Sequence, residues 1–332
     1  MKHRKLFFIV LILLVILELY SLTLGAADIS FNKVLAIIKD TILGKYNGDI
    51  ISKIIVNIRG PRILMAMLTG IGLAVSGATF QGIFKNSMGD PYVLGVSSGA
   101  ALGAAVGLVF NLESSNYIYI TLLAFIGAIT TILLVYNIAK VGGRIPTETL
   151  LLSGIAVNFL FSSLISLMMI LKKEAMDKII FWTLGSFNSS SYSQVLMVLP
   201  IVLIGGFLIY SKYKDINILS LGEESAYSLG VQGENIKKFL VILSSLIVAT
   251  LVSFSGIIGF VGLVIPHIVR IIVGSNNREV IPFSALFGGI FLVVCDTISR
   301  TIIPPTELPV GAITALIGAP YFMYLLVQKK RG

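Results

Sequence analysis

Two arginines three residues apart frame the segment Arg59-Gly60-Pro61-Arg62. Pro61 suits a first helical turn, so both guanidiniums fall at a helix start, where the macrodipole disfavours cations. Something else must favour them, either lipid phosphate or the carboxylates of an external protein. Asp296 and Arg300 lie four residues apart and can pair across one helical turn. Glu18 can snorkel or pair near the end of an apolar run. His267, directly after Pro266, reads as a packed, hydrogen-bonded histidine before a proton relay.

None of these groups makes a catalytic constellation. The chain has no G-x-x-x-x-G-K-[ST], so it binds no ATP through a phosphate loop of its own, and no H-E-x-x-H. One cysteine (Cys295) and two histidines (His3, His267) argue against a disulfide framework and a dedicated metal site. Gly95, Gly99, Gly103 and Gly107 recur every four residues in an apolar run, and Gly70, Ala74, Ala78 and Gly82 repeat the pattern. Such stripes let helices approach at backbone distance; they fit tight packing, and secondarily the wall of a pathway. Ser220-Leu221-Gly222-Glu223 reads as a capping box opening a two-turn helix with Glu223 and Glu224 at its start, Ala226 and Leu229 within it and Gly230 as its stop. A helix that short needs a docking surface, on its own loop or on a partner.

The elements that must position these residues are membrane spans. Of 332 residues, 56% are hydrophobic and 12% charged, against roughly 25% charged in soluble domains. The apolar runs approach 20 residues, enough to cross a ~30 Å hydrocarbon core. The composition excludes a soluble enzyme and a disordered chain. The expectation is an all-α polytopic membrane protein of about ten helices, a single transmembrane domain over 1–332 in the cell membrane. The spans are 6–24, 61–82, 92–110, 117–137, 148–170, 193–211, 239–256, 258–273, 280–298 and 309–327. Gly256, Gly259 and Gly262 break the long run 239–273 into two. The run 6–24 exceeds a signal-peptide core, so a retained first helix is expected. The expected external loop 25–60 holds a surface helix capped by Asn32, with Val34, Leu35, Ile37, Ile38 and Ile42 on one face. The longest internal loop is 212–238, between helices two to six (61–211) and helices seven to ten (239–327). With both termini cytoplasmic, 15 of the 25 Lys and Arg fall inside, as the positive-inside bias requires. That bias accounts for the net charge of +9 without a nucleic-acid partner.

With these stretches assembled, the chain resembles the FecCD family, the permeases of ABC importers for iron-siderophores, haem and cobalamin. The resemblance rests on Arg59-Gly60-Pro61-Arg62, Ser76-Gly77 through Gln81, Lys85 to Pro91, Leu94 to Ala100, Leu152 to Ala156, Trp182 to Ser186, Ser220 to Val231, Gly259 to Arg270, Asp296 to Arg300, Glu307 to Gly311 and Gly318 to Pro320. In order and spacing they cover nearly the whole chain from about residue 55.

The resemblance implies a homodimer with two cytoplasmic ATPase subunits and an external substrate-binding protein, embedded in the lipid bilayer. ATP and Mg would belong to the ATPases, with no cofactor on this chain. It implies that Arg59, Arg62 and Arg300 meet acidic residues of the binding protein, and that Ser220, Gly222, Glu223, Glu224, Ala226, Leu229 and Gly230 form the ATPase-coupling helix. Thr147 and Glu148 fall at the inner gate, although Glu148 departs from the small hydroxyl residues common there. The implied function is import of a metal chelate, ferric siderophore first, with cobalamin, haem or an oxyanion as alternatives. An ion-coupled secondary transporter is a rival, disfavoured by the scarcity of midplane carboxylates. A membrane scaffold without transport is another.

Overall fold

The structure is a computed structural model that describes residues 2–25, 27–45, 48–114, 116–140, 146–222, 228 and 233–331. Every regular element among them is helical. The chain opens with α1 (Arg4–Ser21), α2 (Phe31–Ile42) and the single turn α3 (Ile50–Lys53). From α3 it passes through a π-helical stretch, Ile54–Arg59, into α4 (Gly60–Ile83). There follow α5 (Val96–Val109), α6 (Ile118–Ala139), α7 (Thr147–Leu171), α8 (Lys173–Thr183) and α9 (Tyr192–Ser211). The last five are α10 (Tyr213–Leu219), α11 (Gly233–Ser255), α12 (Val261–Val273), α13 (Asn277–Thr301) and α14 (Val310–Arg331).

A helix lies at each of the ten expected spans. Six stretches, among them Ile50–Ile83, Glu148–Leu171 and Asn277–Thr301, are long and apolar enough to cross a membrane, and three shorter apolar helices accompany them. These features define a multi-pass helical membrane protein. The break expected within 239–273 falls at 256–260, where Gly256 takes a left-handed φ of 69° between α11 and α12.

Helix α4 is the hub. It packs on α9, α11, α12 and α13, and 83% of the most apolar window of its continuous helix is buried. Its small residues make this possible. A Cβ on Gly70 would stand 2.1 Å from the Gly288 carbonyl oxygen of α13, so the two backbones touch there. The other glycine stripe turns onto α6: Cβ atoms on Gly99 and Gly103 would stand 1.9 Å from Thr131 Oγ1 and 2.1 Å from Leu123 O. Gly95 and Gly107 face Thr131 and Ile120 of the same helix.

Four expectations need correction. The segment 25–60 is largely helical, because α3 continues into α4 without a break. In α2, Ser30 holds the N-cap position and Asn32 lies inside the helix. Val34 and Ile37 are buried against Ile55, whereas Leu35 and Ile42 are exposed. Helix α8 was not foreseen, although Ala175, Ile179 and Trp182, its buried residues, already carry helical spacing. Finally, the segment 212–238 begins with α10, and Ser220 closes that helix with helical φ and ψ of −67° and −17°. Its hydroxyl donates to Asn217 O at 2.6 Å, so Ser220 does not have the extended backbone of an N-cap.

Candidate functional site

At one end of the bundle the three arginines converge. The π-helical stretch delivers Arg59, the first turn of α4 delivers Arg62, and the last turn of α13 delivers Arg300. All three are at least 95% buried. Arg62 Nε donates to Asp296 Oδ1 at 2.8 Å and its Nη1 to Glu307 Oε2 at 2.6 Å. Arg300 Nε donates to Asp296 Oδ2 at 3.0 Å, the pair that the four-residue spacing predicted. The remaining guanidinium donors turn to the end of α1. Arg59 donates to Leu22 O at 2.7 Å and Ala27 O at 2.6 Å, and Arg300 to Leu24 O at 2.9 Å and Ser21 Oγ at 2.8 Å. Arg59 and Arg300 thus meet carbonyls at a helix C-terminus, where cations are stabilising. The adverse dipole expected at a helix start does not arise for Arg59 and Arg62, because the helix runs unbroken from Ile50 and both lie beyond its first turn. Docking through these arginines had implied exposed guanidiniums; the structure engages them inside the chain instead. Glu307, with a side chain 34% exposed, is the cluster's accessible member, and Arg62 Nη2 has no hydrogen-bond partner.

The opposite end carries a second polar cluster that sequence reasoning missed. Asn217 of α10 accepts at Oδ1 from the backbone N–H of Asn277 at 2.9 Å and from Asn277 Nδ2 at 2.8 Å. Its own Nδ2 donates to Asn276 Oδ1 at 2.9 Å. Asn276 is also the N-cap of α13, accepting from the Arg278 N–H at 3.0 Å. Arg270, in the last turn of α12, donates to Asn277 Oδ1 at 3.1 Å and to Ala78 O of α4 at 3.3 Å. Beneath them Ile216 and Leu219 are fully buried, and Ile216 fills the space over Gly82 of α4. Nearby, Glu279 accepts from the Lys2 N–H. No motif marks the asparagines; only the Asn276-Asn277 doublet before an apolar run hints at a cap.

Of the expected coupling residues, Ser220 and Gly222 are described, Gly222 with a φ of 135°. Glu223, Glu224, Ala226, Leu229 and Gly230 lie outside the described residues. Thr147 opens α7, and Glu148 sits exposed in its first turn. Between the two ends, α7 is the least covered span, with 17% of its window buried against 83% for the stretch containing α4. Its exposed face combines Phe159, Leu160, Leu167 and Ile170 with Ser162, Ser163 and Ser166. Outside the spans, Lys178 Nζ donates to Glu113 Oε1 at 2.6 Å. Burial pushes the Glu113 carboxyl up, but the Lys178 ammonium outweighs it and holds the group below the usual carboxylate range.

Fold and sites together define a multi-pass helical membrane protein with a buried polar cluster at each end. The model of the FecCD transport family matches residues 12–328, and the chain belongs to that family. It is 44% identical over 277 residues to the cobalamin import system permease BtuC of Halobacterium salinarum, covering 83% of this chain and 74% of that one. The hemin transport system permease HmuU of Yersinia pestis is 36% identical, with 96% of this chain and 94% of the relative covered. Among solved structures, an inward-facing metal-chelate type ABC transporter superposes with a TM-score of 0.86 at 32% identity, covering 98% of this chain and 99% of that one. The two relatives are permease proteins of an import and a transport system, and the solved structure is an ABC transporter.

Proposed function

We propose that this chain is the membrane permease of an ATP-driven importer that moves a metal chelate into the cytoplasm by alternating access. The carrying observation is the exposed face of α7. A span with 17% of its window buried, three exposed serines within five residues and no charge between Glu148 and Lys172 fits a surface meeting a second copy of the chain across a pathway. Weak contacts suit such a wall, because cargo must leave as well as enter. The arginine end is outside and the asparagine end inside, in keeping with the distribution of Lys and Arg. ATP and Mg belong to two partner ATPases seated on the segment after Ser220, and this chain holds no cofactor. Thr147 and Glu148, at the inner start of α7, stand at the gate. The rows of Gly95, Gly99, Gly103 and Gly107 serve packing, since all four face α6.

An external binding protein delivers the cargo. Docking through Arg59, Arg62 and Arg300 requires an exchange of partners, in which an incoming carboxylate displaces Glu307 from Arg62. Ferric siderophore is the first cargo class we assign. Cobalamin is a second reading, favoured by the 44% identity to a cobalamin permease. Vesicles carrying this chain with its ATPase and binding protein test the proposal. Labelled ferric siderophore and labelled cobalamin are offered side by side, with ATP and then with an uncoupler. ATP-dependent, uncoupler-resistant uptake of one compound supports the importer and names its cargo class. Uptake abolished by the uncoupler alone would replace it with an ion-coupled carrier.

A further inference from the structure

We propose that Asn217 is a coupling joint: it caps the N-terminus of α13 from a different helix and so binds the ATPase-side segment to the moving core of the bundle. The inference rests on the importer reading above and adds to it the place where movement enters the membrane domain.

The first backbone N–H groups of a helix lack intrahelical partners and are usually capped by a residue just upstream in the same chain segment. In α13 the Asn276 side chain serves the Arg278 N–H, but the Asn277 N–H is served by Asn217 Oδ1 at 2.9 Å, from a residue 60 positions earlier. The same oxygen accepts from Asn277 Nδ2, and the Asn217 amide nitrogen donates to Asn276 Oδ1. Both polar atoms of Asn217 are therefore committed to α13. Asn277 is 1% exposed with α10 in place, and sliding α10 away would break the hydrogen bonds of its backbone and side-chain nitrogens together. Arg270 extends the linkage by bridging Asn277 Oδ1 to Ala78 O, which ties in the inner ends of α12 and α4.

On the other side of the joint, Ser220 donates to Asn217 O, so the chain enters the 220–232 segment directly from this helix. Ile216 and Leu219 bury α10 against the core, so a displacement that reaches α10 through Ser220 is passed to the inner ends of α13, α12 and α4. Helix α7, by contrast, has no hydrogen bond to this cluster among the described residues. The geometry thus assigns α4, α12 and α13 to the driven body, against which the α7 face is displaced.

The test uses the complete complex in proteoliposomes and reads ATP hydrolysed per cargo molecule imported, a ratio that loss of folded protein alone does not change. Asn217→Leu removes the trans cap at similar volume and should raise the ratio by roughly fivefold or more, as expected from losing one or two hydrogen bonds. Asn217→Asp keeps the acceptor for Asn277 and should restore most of the coupling. A second arm covers the case in which Asn217→Leu fails to fold: cysteines at 217 and at the exposed neighbouring position 276 are joined by a short cleavable thiol cross-linker, Cys295 being buried. Cross-linked complexes that import at an unchanged ATP-per-cargo ratio support the joint. Import lost on cross-linking and regained on cleavage would show that α10 and α13 must separate, and would overturn it. So would a ratio unaffected by Asn217→Leu beside a normally importing unaltered chain. Absence of ATP-driven import by the unaltered chain would instead overturn the transport reading, and the joint with it.

Discussion

Asp296 is fully buried and shared by two guanidiniums, Arg62 and Arg300. Removing one partner from a buried ionic cluster leaves uncompensated charge, at about 3–5 kcal/mol. Asp296→Ala should therefore lower stability by that order, read as a thermal unfolding shift in detergent. Reversing Arg62 or Arg300 to Glu would set a second carboxylate beside Asp296, so a failed pull-down with those variants would report misfolding rather than lost docking. Glu307 offers a cleaner probe. Its side chain is one-third exposed, and Arg62 keeps its bond to Asp296, so Glu307→Gln, which retains an oxygen acceptor, should cost less than loss of Asp296 while weakening the hold on Arg62 Nη1. If docking uses that donor, affinity for the binding protein should rise several-fold, more so at low salt. Unchanged or weaker binding would remove Arg62 from the docking surface.

The contact of α5 with α6 depends on what is missing from the side chains. A methyl on Gly103 would sit 2.1 Å from Leu123 O, a rigid backbone atom. Gly103→Ala must separate the helices, and overpacking of this kind costs about 1–3 kcal/mol. Gly206 of α9 has nothing within 4 Å of the same added methyl. Gly206→Ala should therefore be neutral or slightly stabilising, since Ala is the better helix former by about 1 kcal/mol. Comparing the two variants by thermal unfolding isolates close approach from helix propensity; equal effects would mean that the stripe does not pack as described. The helical spacing of both stripes was legible in the sequence. Which neighbour each one meets was not, because small residues say how near a helix can come and not which helix comes.

For the assembled molecule, the uncovered α7 face makes the sharpest demand. Cys295 is buried, so a cysteine introduced at Ser163 is the accessible thiol. If two copies face each other across a pathway, Ser163→Cys should form copy-to-copy cross-links and react with polar thiol reagents, to an extent that ATP changes. Labelling only by lipid-soluble reagents would turn that face to the bilayer. The membrane class, the run of spans, the break near Gly256 and the Asp296–Arg300 pair were all readable from the chain, because hydropathy, glycine and four-residue spacing act locally. The sequence placed Arg59 and Arg62 at a helix start, whereas the helix running unbroken from Ile50 puts them in its interior. It could not show that the carbonyls at the end of α1 receive Arg59, that Glu307 and Asp296 receive Arg62, or that Asn217 caps a helix 60 residues away. Those partners are distant in sequence and meet only once the helices have packed, since a hydrogen bond has no signature in the chain until folding brings its donor within 3 Å of an acceptor.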